Sequence, residues 1–246
     1  MVDPGALNMG VTAERIFDRF PHLTKERSDR FGMLSQHKVQ AAYDAGKIQP
    51  DLVPVAIKGA DGAWGLATED LAALKTPFRP HGRVTAGTSS PLTDGATMSL
   101  LAGGSAVKEF GLTPKMKMVS FAFAGVQPEI MGIGPIPSTE KALKKAGLSI
   151  SDIGLFELNE AFAIQVISLL DHFGIADDDP RVNAWGGAIA LGHPLAASGV
   201  RLMIQLAAQF AERPDVRYGL TAMCVGLGQG GSVIWENPFY DGKKRK

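Results

Sequence analysis

Gly154-Leu155-Phe156-Glu157-Leu158-Asn159-Glu160-Ala161-Phe162-Ala163-Ile164-Gln165-Val166-Ile167-Ser168-Leu169-Leu170-Asp171-His172-Phe173-Gly174 is the stretch on which the fold turns. It opens with a short apolar run of strand length, Gly154 to Leu158, and then changes period. From about Asn159 to Phe173 the spacing predicts a helix, with Phe162, Val166, Leu169, Leu170 and Phe173 on one face. The same alternation continues outward. Upstream, Val119, Phe121 and Phe123 alternate on one face of a strand beginning near Lys117, and Ser138 to Ala146 reads as a helix closed by Gly147. Downstream, a strand at Arg181 to Ala184 leads through glycines to a helix from about Ala197, whose buried stripe is expected to be Val200, Met203, Ile204 and Ala207. Strands at about Tyr218 to Cys224 and Gly230 to Glu236 follow. Strands alternating with helices predict a layered α/β domain with helices on its sheet, closed by an antiparallel hairpin.

The preceding part is less regular. Thr24 to Ala45 is rich in helix formers, with Thr24 placed to cap the start and Gly46 to end it. Leu52 to Ile57 reads as extended, and Pro54 restricts it to an edge or a short piece. Thr76-Pro77-Phe78-Arg79-Pro80 is a connector, because each proline disfavours helix in the residue before it. With no core pattern of its own, residues 1 to about 80 should lie over another part of the molecule. Arg83 to Gly87 then reads as a strand and Asp94 to Phe110 as a helix, joined by Thr88-Ser89-Ser90-Pro91. One strand and one helix are too little for a domain.

Composition narrows the function. A chain of 246 residues that is 45% hydrophobic can bury a substantial core. Lysine plus arginine and aspartate plus glutamate both number 25, so no global field favours nucleic acid or anionic lipid. The single cysteine excludes a disulfide framework and a multi-thiolate zinc site, and points to a reducing, cytoplasmic compartment. Neither a signal peptide nor a membrane span is expected, and Lys243-Lys244-Arg245-Lys246 reads as a solvated basic tail.

Function should gather in loops at the carboxyl ends of strands. The first such loop holds Glu157, Asn159 and Glu160; on residues alone, Asn159 reads first as a helix cap. In the second, Gly186-Gly187-Ala188-Ile189-Ala190-Leu191-Gly192-His193-Pro194, the imidazole of His193 can project from a fixed turn as a general base, although a lone loop histidine without a partner is more often structural or solvated. His22, His37, His81 and His172 have no metal-ligand spacing and read as surface residues. The third loop follows Cys224, either a reactive thiol or an inert small hydrophobe, with Gly226, Gly228 and Gly231 able to turn N–H groups toward a ligand. These glycines satisfy G-x-G-x-x-G, but Ser232-Val233-Ile234-Trp235 is strand rather than the helix a dinucleotide site requires. No G-x-S-x-G elbow occurs, which disfavours a Ser-His-Asp hydrolase.

Asn159-Glu160-Ala161-Phe162, Gly192-His193-Pro194 and Cys224-Val225-Gly226, in that order at strand ends, resemble the thiolase family. The resemblance extends through Asn8-Met9-Gly10-Val11-Thr12-Ala13-Glu14, Val84-Thr85-Ala86-Gly87-Thr88-Ser89-Ser90 with Asp94-Gly95-Ala96, and Met131-Gly132-Ile133-Gly134-Pro135, and so covers essentially the whole chain. Ser89-Ser90-Pro91-Leu92-Thr93-Asp94-Gly95 and Gly228-Gln229-Gly230-Gly231-Ser232 look most like the thiolase (β) subunit of fatty acid β-oxidation complexes. The resemblance implies an acetyl-CoA acyltransferase that cleaves a 3-ketoacyl-CoA with CoA, the two thioesters being substrates and no further cofactor or metal being needed. It assigns His193 to activating the nucleophile and, with a water held by Asn159, to an oxyanion hole. Cys224 becomes the acid/base at the α carbon and Gly226 the N–H donor of a second oxyanion hole. Ser90 matches a contact to the CoA arm, Met9 a residue of the substrate loop, and Ala161 with Phe162 the wall beside the thioester.

Departures from the family pattern carry as much weight. The family's acylated cysteine precedes the part matched here, and Cys224 matches the acid/base position instead. By resemblance, residues 1–80 are a loop (lid) domain segment, 81–113 the last strand and helix of an N-terminal domain, 114–240 a complete C-terminal α/β domain and 241–246 the tail. Ala196 stands where the family usually has glycine, and Asn8 where some members have histidine. As an enzyme, the chain would take its nucleophile from a thiolase N-terminal segment or a homodimer partner, and would work beside a hydratase/dehydrogenase subunit. As a non-catalytic remnant, it would bind acyl-CoA or a partner subunit without turnover.

Overall fold

The structure, a computed structural model, describes residues 8–52 and 71–242. The extended reading at 53–57 and the basic tail at 243–246 lie outside them. In chain order the elements are α1 (Met9–Arg19), α2 (Lys25–Asp44), α3 (Gly104–Glu109), β1 (Lys117–Gly125), α4 (Pro135–Ala146), β2 (Ile153–Leu158), α5 (Ala163–Phe173), α6 (Ala188–Leu191), α7 (Ser198–Glu212), β3 (Tyr218–Val225) and β4 (Gln229–Glu236). The strands form one sheet in the order β1-β4-β3-β2. β2 and β3 are parallel, with α5 and α7 between them in the chain, while β4 runs antiparallel to both its neighbours. This is the α/β layering and terminal hairpin predicted from the sequence. Among the described residues no helix is long and apolar enough to cross a membrane.

Alternation along the strands divides the sheet into two unequal faces. Ala122, Phe156, Leu158, Leu220, Ala222 and Ile234 join one core cluster with residues of α4 and α5. α1 and α2 lie over that layer, and Ile16, Phe17, Leu23 and Phe31 enter the same cluster, as expected of a segment with no core of its own. On the other face α7 covers β2 and β3, with Leu206 and Phe210 packed on Leu155 and Trp235. There β1 is left uncovered: Val119, Phe121 and Phe123 point outward, with Phe123 68% exposed.

Capping fixes several helix limits. Thr24 Oγ1 accepts the Arg27 N–H at 3.3 Å, and Gly147 closes α4 in the left-handed region at φ +66°. Between α4 and β4 the backbones cross so closely that a Cβ on Gly134 would stand 2.7 Å from Gly230 N, which requires glycine there.

Five sequence expectations fail for identifiable reasons. Arg83 to Gly87 is not a strand, because the N–H groups of Arg83 and Val84 donate to the buried Glu14 carboxylate, each at 2.7 Å, and Ala86–Thr88 is a short 3₁₀ turn. The predicted helix at Asp94 to Phe110 shrinks to α3; Leu100 and Leu101 are 79% and 73% exposed, and a helix with nothing to pack against gains little. Arg181 to Ala184 contributes one bridge, Phe156 to Val182, and ends where Asn183 turns to φ +42°. α5 starts at Ala163 rather than Asn159 and is buried from Ala163 through Leu170 instead of on one face. The stripe of α7 facing the sheet is Leu202, Gln205, Leu206, Gln209 and Phe210, whereas Val200, Met203, Ile204 and Ala207 are half-buried.

Candidate active site

Parallel β2 and β3 end at the same edge of the sheet, so the loops that follow them are neighbours. The Asn159 N–H donates to Ala222 O at 2.9 Å, continuing the ladder one residue beyond β2. On the other side of β2, Asn183 copies a strand neighbour with its side chain, accepting from Leu158 N at 2.7 Å and donating to Leu158 O at 2.9 Å. The ends of β2 and β3 and the 181–183 segment are thereby held abreast, and the candidate residues follow them.

Phe162, in extended conformation, occupies the position before α5, so Asn159 does not cap that helix. Its side-chain amide lies 3.2 Å from His193 Nε2, while His193 Nδ1 lies 2.6 Å from Ser198 Oγ. The amide nitrogen can only donate, so Nε2 is the acceptor and the proton sits on Nδ1. Ser198 Oγ accepts the hydrogen bond from Nδ1–H and donates its own hydroxyl to Pro194 O at 3.0 Å. His193 is thus held in the tautomer whose Nε2 lone pair faces the loop after β2. Burial, and then the positive charge of Arg201, push its pKa below the ordinary imidazole value, which keeps it a neutral base. Asn159 Oδ1 is buried and has no hydrogen-bond partner among the described residues.

Cys224, next to last in β3, lies on the closed face, 7% exposed, against Met131, Ala161 and Phe162. Burial pushes its thiol up to about 12. No direct hydrogen bond joins it to His193; the two are linked through the Asn159–Phe162 loop, whose Asn159 touches the imidazole and whose Ala161 packs on the thiol. Ser90 lies on the other side of that loop, its N–H and hydroxyl both donating to Ala161 O, at 3.0 and 3.3 Å. The same segment continues to the second loop, where Pro91 O accepts the His193 N–H at 3.2 Å. Gly226 follows in the turn after β3, with open space where a Cβ would stand.

Asn159, His193, Cys224, Ser90, Ala161 and Phe162 therefore share one region. Met9 is peripheral: exposed at the start of α1, it approaches only through its neighbour Gly10, which lies against Phe78, whose ring meets Phe162 edge-on at 6.3 Å. His22 and His172 are occupied in exposed pairs with Asp171 and Glu140, both at 2.8 Å. Among the described residues no group of three or more histidine, cysteine, aspartate or glutamate side chains is placed to hold a metal. A cavity of about 540 Å³ between α2 and the 175–178 turn is lined by none of the candidate residues. Sequence reasoning missed Ser198, which stands five residues beyond His193 at the start of α7; the tight Gly-His-Pro turn was the available signal.

Residues 5–105 match the family described as thiolase, N-terminal domain, and residues 112–237 that described as thiolase, C-terminal domain. The 3-ketoacyl-CoA thiolase of Colwellia psychrerythraea is 44% identical over 241 residues, which are 93% of this chain and 62% of that protein. The 3-oxoadipyl-CoA/3-oxo-5,6-dehydrosuberyl-CoA thiolase of Escherichia coli is 40% identical, over 94% of this chain and 60% of its own length. The crystal structure of human mitochondrial 3-ketoacyl-CoA thiolase superposes with a TM-score of 0.83 at 35% identity, over 94% of this chain and 59% of that one. The chain spans about three fifths of the length of these relatives. With both domain families matched in order and the same three motif loops meeting at one sheet edge, the chain belongs to the thiolase family.

Proposed function

We propose that this chain forms the proton-transfer half of a thiolase-type acyltransferase site, cleaving a 3-ketoacyl-CoA with CoA to acetyl-CoA and a shortened acyl-CoA in fatty acid β-oxidation. The observation that carries this reading is the Asn159–His193–Ser198 chain, at 3.2 and 2.6 Å, which presents a neutral imidazole beside the loop that also packs on Cys224. His193 Nε2 takes the proton of an attacking thiol, which adds to the keto carbon. As the carbon–carbon bond breaks and leaves the acyl group on that thiol, Cys224 gives its proton to the departing α carbon of acetyl-CoA. The resulting thiolate then deprotonates the incoming CoA, which displaces the acyl group as acyl-CoA, and the released thiol recovers its proton from His193. Cys224 keeps its proton until needed because burial disfavours the thiolate. Asn159 Oδ1 is available for a water, which with His193 would face the thioester oxygen; the Gly226 N–H would serve the second oxyanion. Ser90 lies along the wall formed by Ala161 and Phe162, where the CoA arm would enter, and Met9, exposed at the start of α1, would stand at the outer edge of the substrate path.

The attacking thiol itself comes from outside this sequence, whose single cysteine is Cys224. The uncovered apolar face of β1 supports a second polypeptide segment packing there. A 3-oxoadipyl-CoA thiolase stands among the relatives at similar identity, so the chemistry shared by these names is a 3-oxoacyl thioester rather than one chain length. The second reading, a remnant that binds acyl-CoA or a partner without turnover, is favoured by the same lone, buried thiol. Supplying the chain with a cysteine-bearing thiolase N-terminal segment separates the two. Thiolysis of acetoacetyl-CoA that appears on mixing and is lost in His193→Asn supports the enzyme; a complex that forms and stays inactive supports the remnant.

A further inference from the structure

We propose that Glu160 is the positioning residue of the His193 loop, fixing the aim of the imidazole by tying that loop to α2 and to the end of β2. Its carboxylate is 1% exposed. Oε2 accepts the Ser35 hydroxyl of α2 at 2.6 Å and the Ile189 N–H at 3.1 Å; Oε1 accepts the Asn183 side-chain N–H at 2.7 Å. Around this anchor the loop has no slack. A Cβ on Gly187 would collide with the Glu160 carboxylate, and one on Gly186, at φ +76°, would stand 2.7 Å from Ser35 O. The Gly187 N–H donates to Ser35 Oγ at 3.2 Å, so that hydroxyl is bonded on both sides. α6 is tied to Glu160 through Ile189 in its first turn and ends at Leu191, with only Gly192 between it and His193, so a displacement of Ile189 is passed along one short helix to the imidazole.

Stability alone gives little reason for a carboxylate here. No cation pairs directly with Glu160 among the described residues; Lys38 on α2 and Arg201 on α7 face it at longer range, beside a second buried acid, Glu157. A buried anion held only by neutral donors costs more than an apolar side chain of similar size, and the return is a fixed geometry. The inference rests on His193 being the base, but its test needs no turnover.

Histidine-selective ¹⁵N labelling of the full chain, with His193 assigned by His193→Gln, reads the ring tautomer directly, and thermal melts run alongside. In the parent chain a roughly tenfold Nδ1–H preference is expected, about what one hydrogen bond supplies. In Ser35→Ala and Glu160→Gln that preference should fall to near parity, with the His22 and His172 signals unmoved. If Glu160→Gln does not fold, Ser35→Ala decides. His193 signals that stay unchanged while only the melting temperature drops make Glu160 merely structural and overturn the proposal. A parent His193 without tautomer preference overturns the base reading as well, whereas shifted variants in an assembled enzyme that never cleaves a 3-ketoacyl thioester leave Glu160 in place and remove only the acyl-transfer reading.

Discussion

The two faces of the sheet are built from the same alternating strands and end differently. The face under α4 and α5 is closed: Ala122, Leu220, Ala222 and Ile234 are buried, and Cys224 lies at its end among Met131 and Ala161. On the opposite face α7 seals β2 and β3 through Leu206 and Phe210, but β1 presents Phe121 and Phe123 to solvent, and the second stripe of α7, with Met203 and Ile204, is only half-buried. The site draws on both. Cys224 belongs to the closed face, and Ser198, which orients His193, to the first turn of α7. The groups proposed to hold or move a proton are thus rigidly built, while the proposed source of the attacking thiol coincides with an apolar surface that none of the described residues covers.

Paired truncations give the largest expected effect. Phe210→Ala, under α7, should cost about 3–5 kcal/mol in urea unfolding, whereas Phe123→Ala on the open face should stay within about 0.5 kcal/mol. Equal losses would mean that β1 is covered in solution and would erase the distinction between the faces.

Acid–base linkage sharpens the comparison at the seam beneath α7. Glu157 is fully buried there, bonded to Gln209 at 2.6 Å, and burial pushes its carboxyl up to about 8 from an ordinary 4.5. A folded-state pKa above the unfolded one contributes stability that is complete below the unfolded value and fades as pH rises through the folded one. Stability should therefore fall between about pH 4.5 and 8 by on the order of a few kcal/mol. Glu157→Gln should flatten that slope without abolishing it, since Glu160 is raised in the same direction. A slope unchanged in Glu157→Gln, measured by melts across that range, would show the group to be ionised and hydrated.

How much of this was legible follows from what kind of signal each element leaves. The β3–β4 hairpin and the three motif loops could be read because glycine and strand periodicity are local properties. The helix expected over 94–110 needed a surface to pack on, which sequence period does not report. α7 carries two apolar stripes, and the buried one holds Gln209, which donates to Glu157, and Gln205, which accepts from Arg201; a hydrophobicity pattern chooses the wrong side. Convergence of Asn159 on His193 was foreseeable from the motifs, while the roles of Ser198 and Glu160 depend on how the 183–193 loop wraps, a three-dimensional fact.

Smaller effects probe the site. At pH 8 the Cys224 thiol should react with iodoacetamide at least about a hundredfold more slowly than a free thiol, because burial suppresses the thiolate. Rapid labelling would place Cys224 on the open side of the comparison. Asn159→Ala removes one hydrogen bond to His193 and should lower stability by only about 1 kcal/mol in urea unfolding, with the single-tautomer signal of His193 weakened.

The division of labour between a proton-moving Cys224 and a nucleophile supplied from elsewhere is tested most directly by intact-mass measurement of the chain alone after incubation with a 3-ketoacyl-CoA, with CoA consumption followed in parallel. The account predicts an unmodified mass and no thiolysis above the uncatalysed rate. An acyl adduct mapped to Cys224, accompanied by turnover, would contradict it and make the buried thiol the acyl carrier.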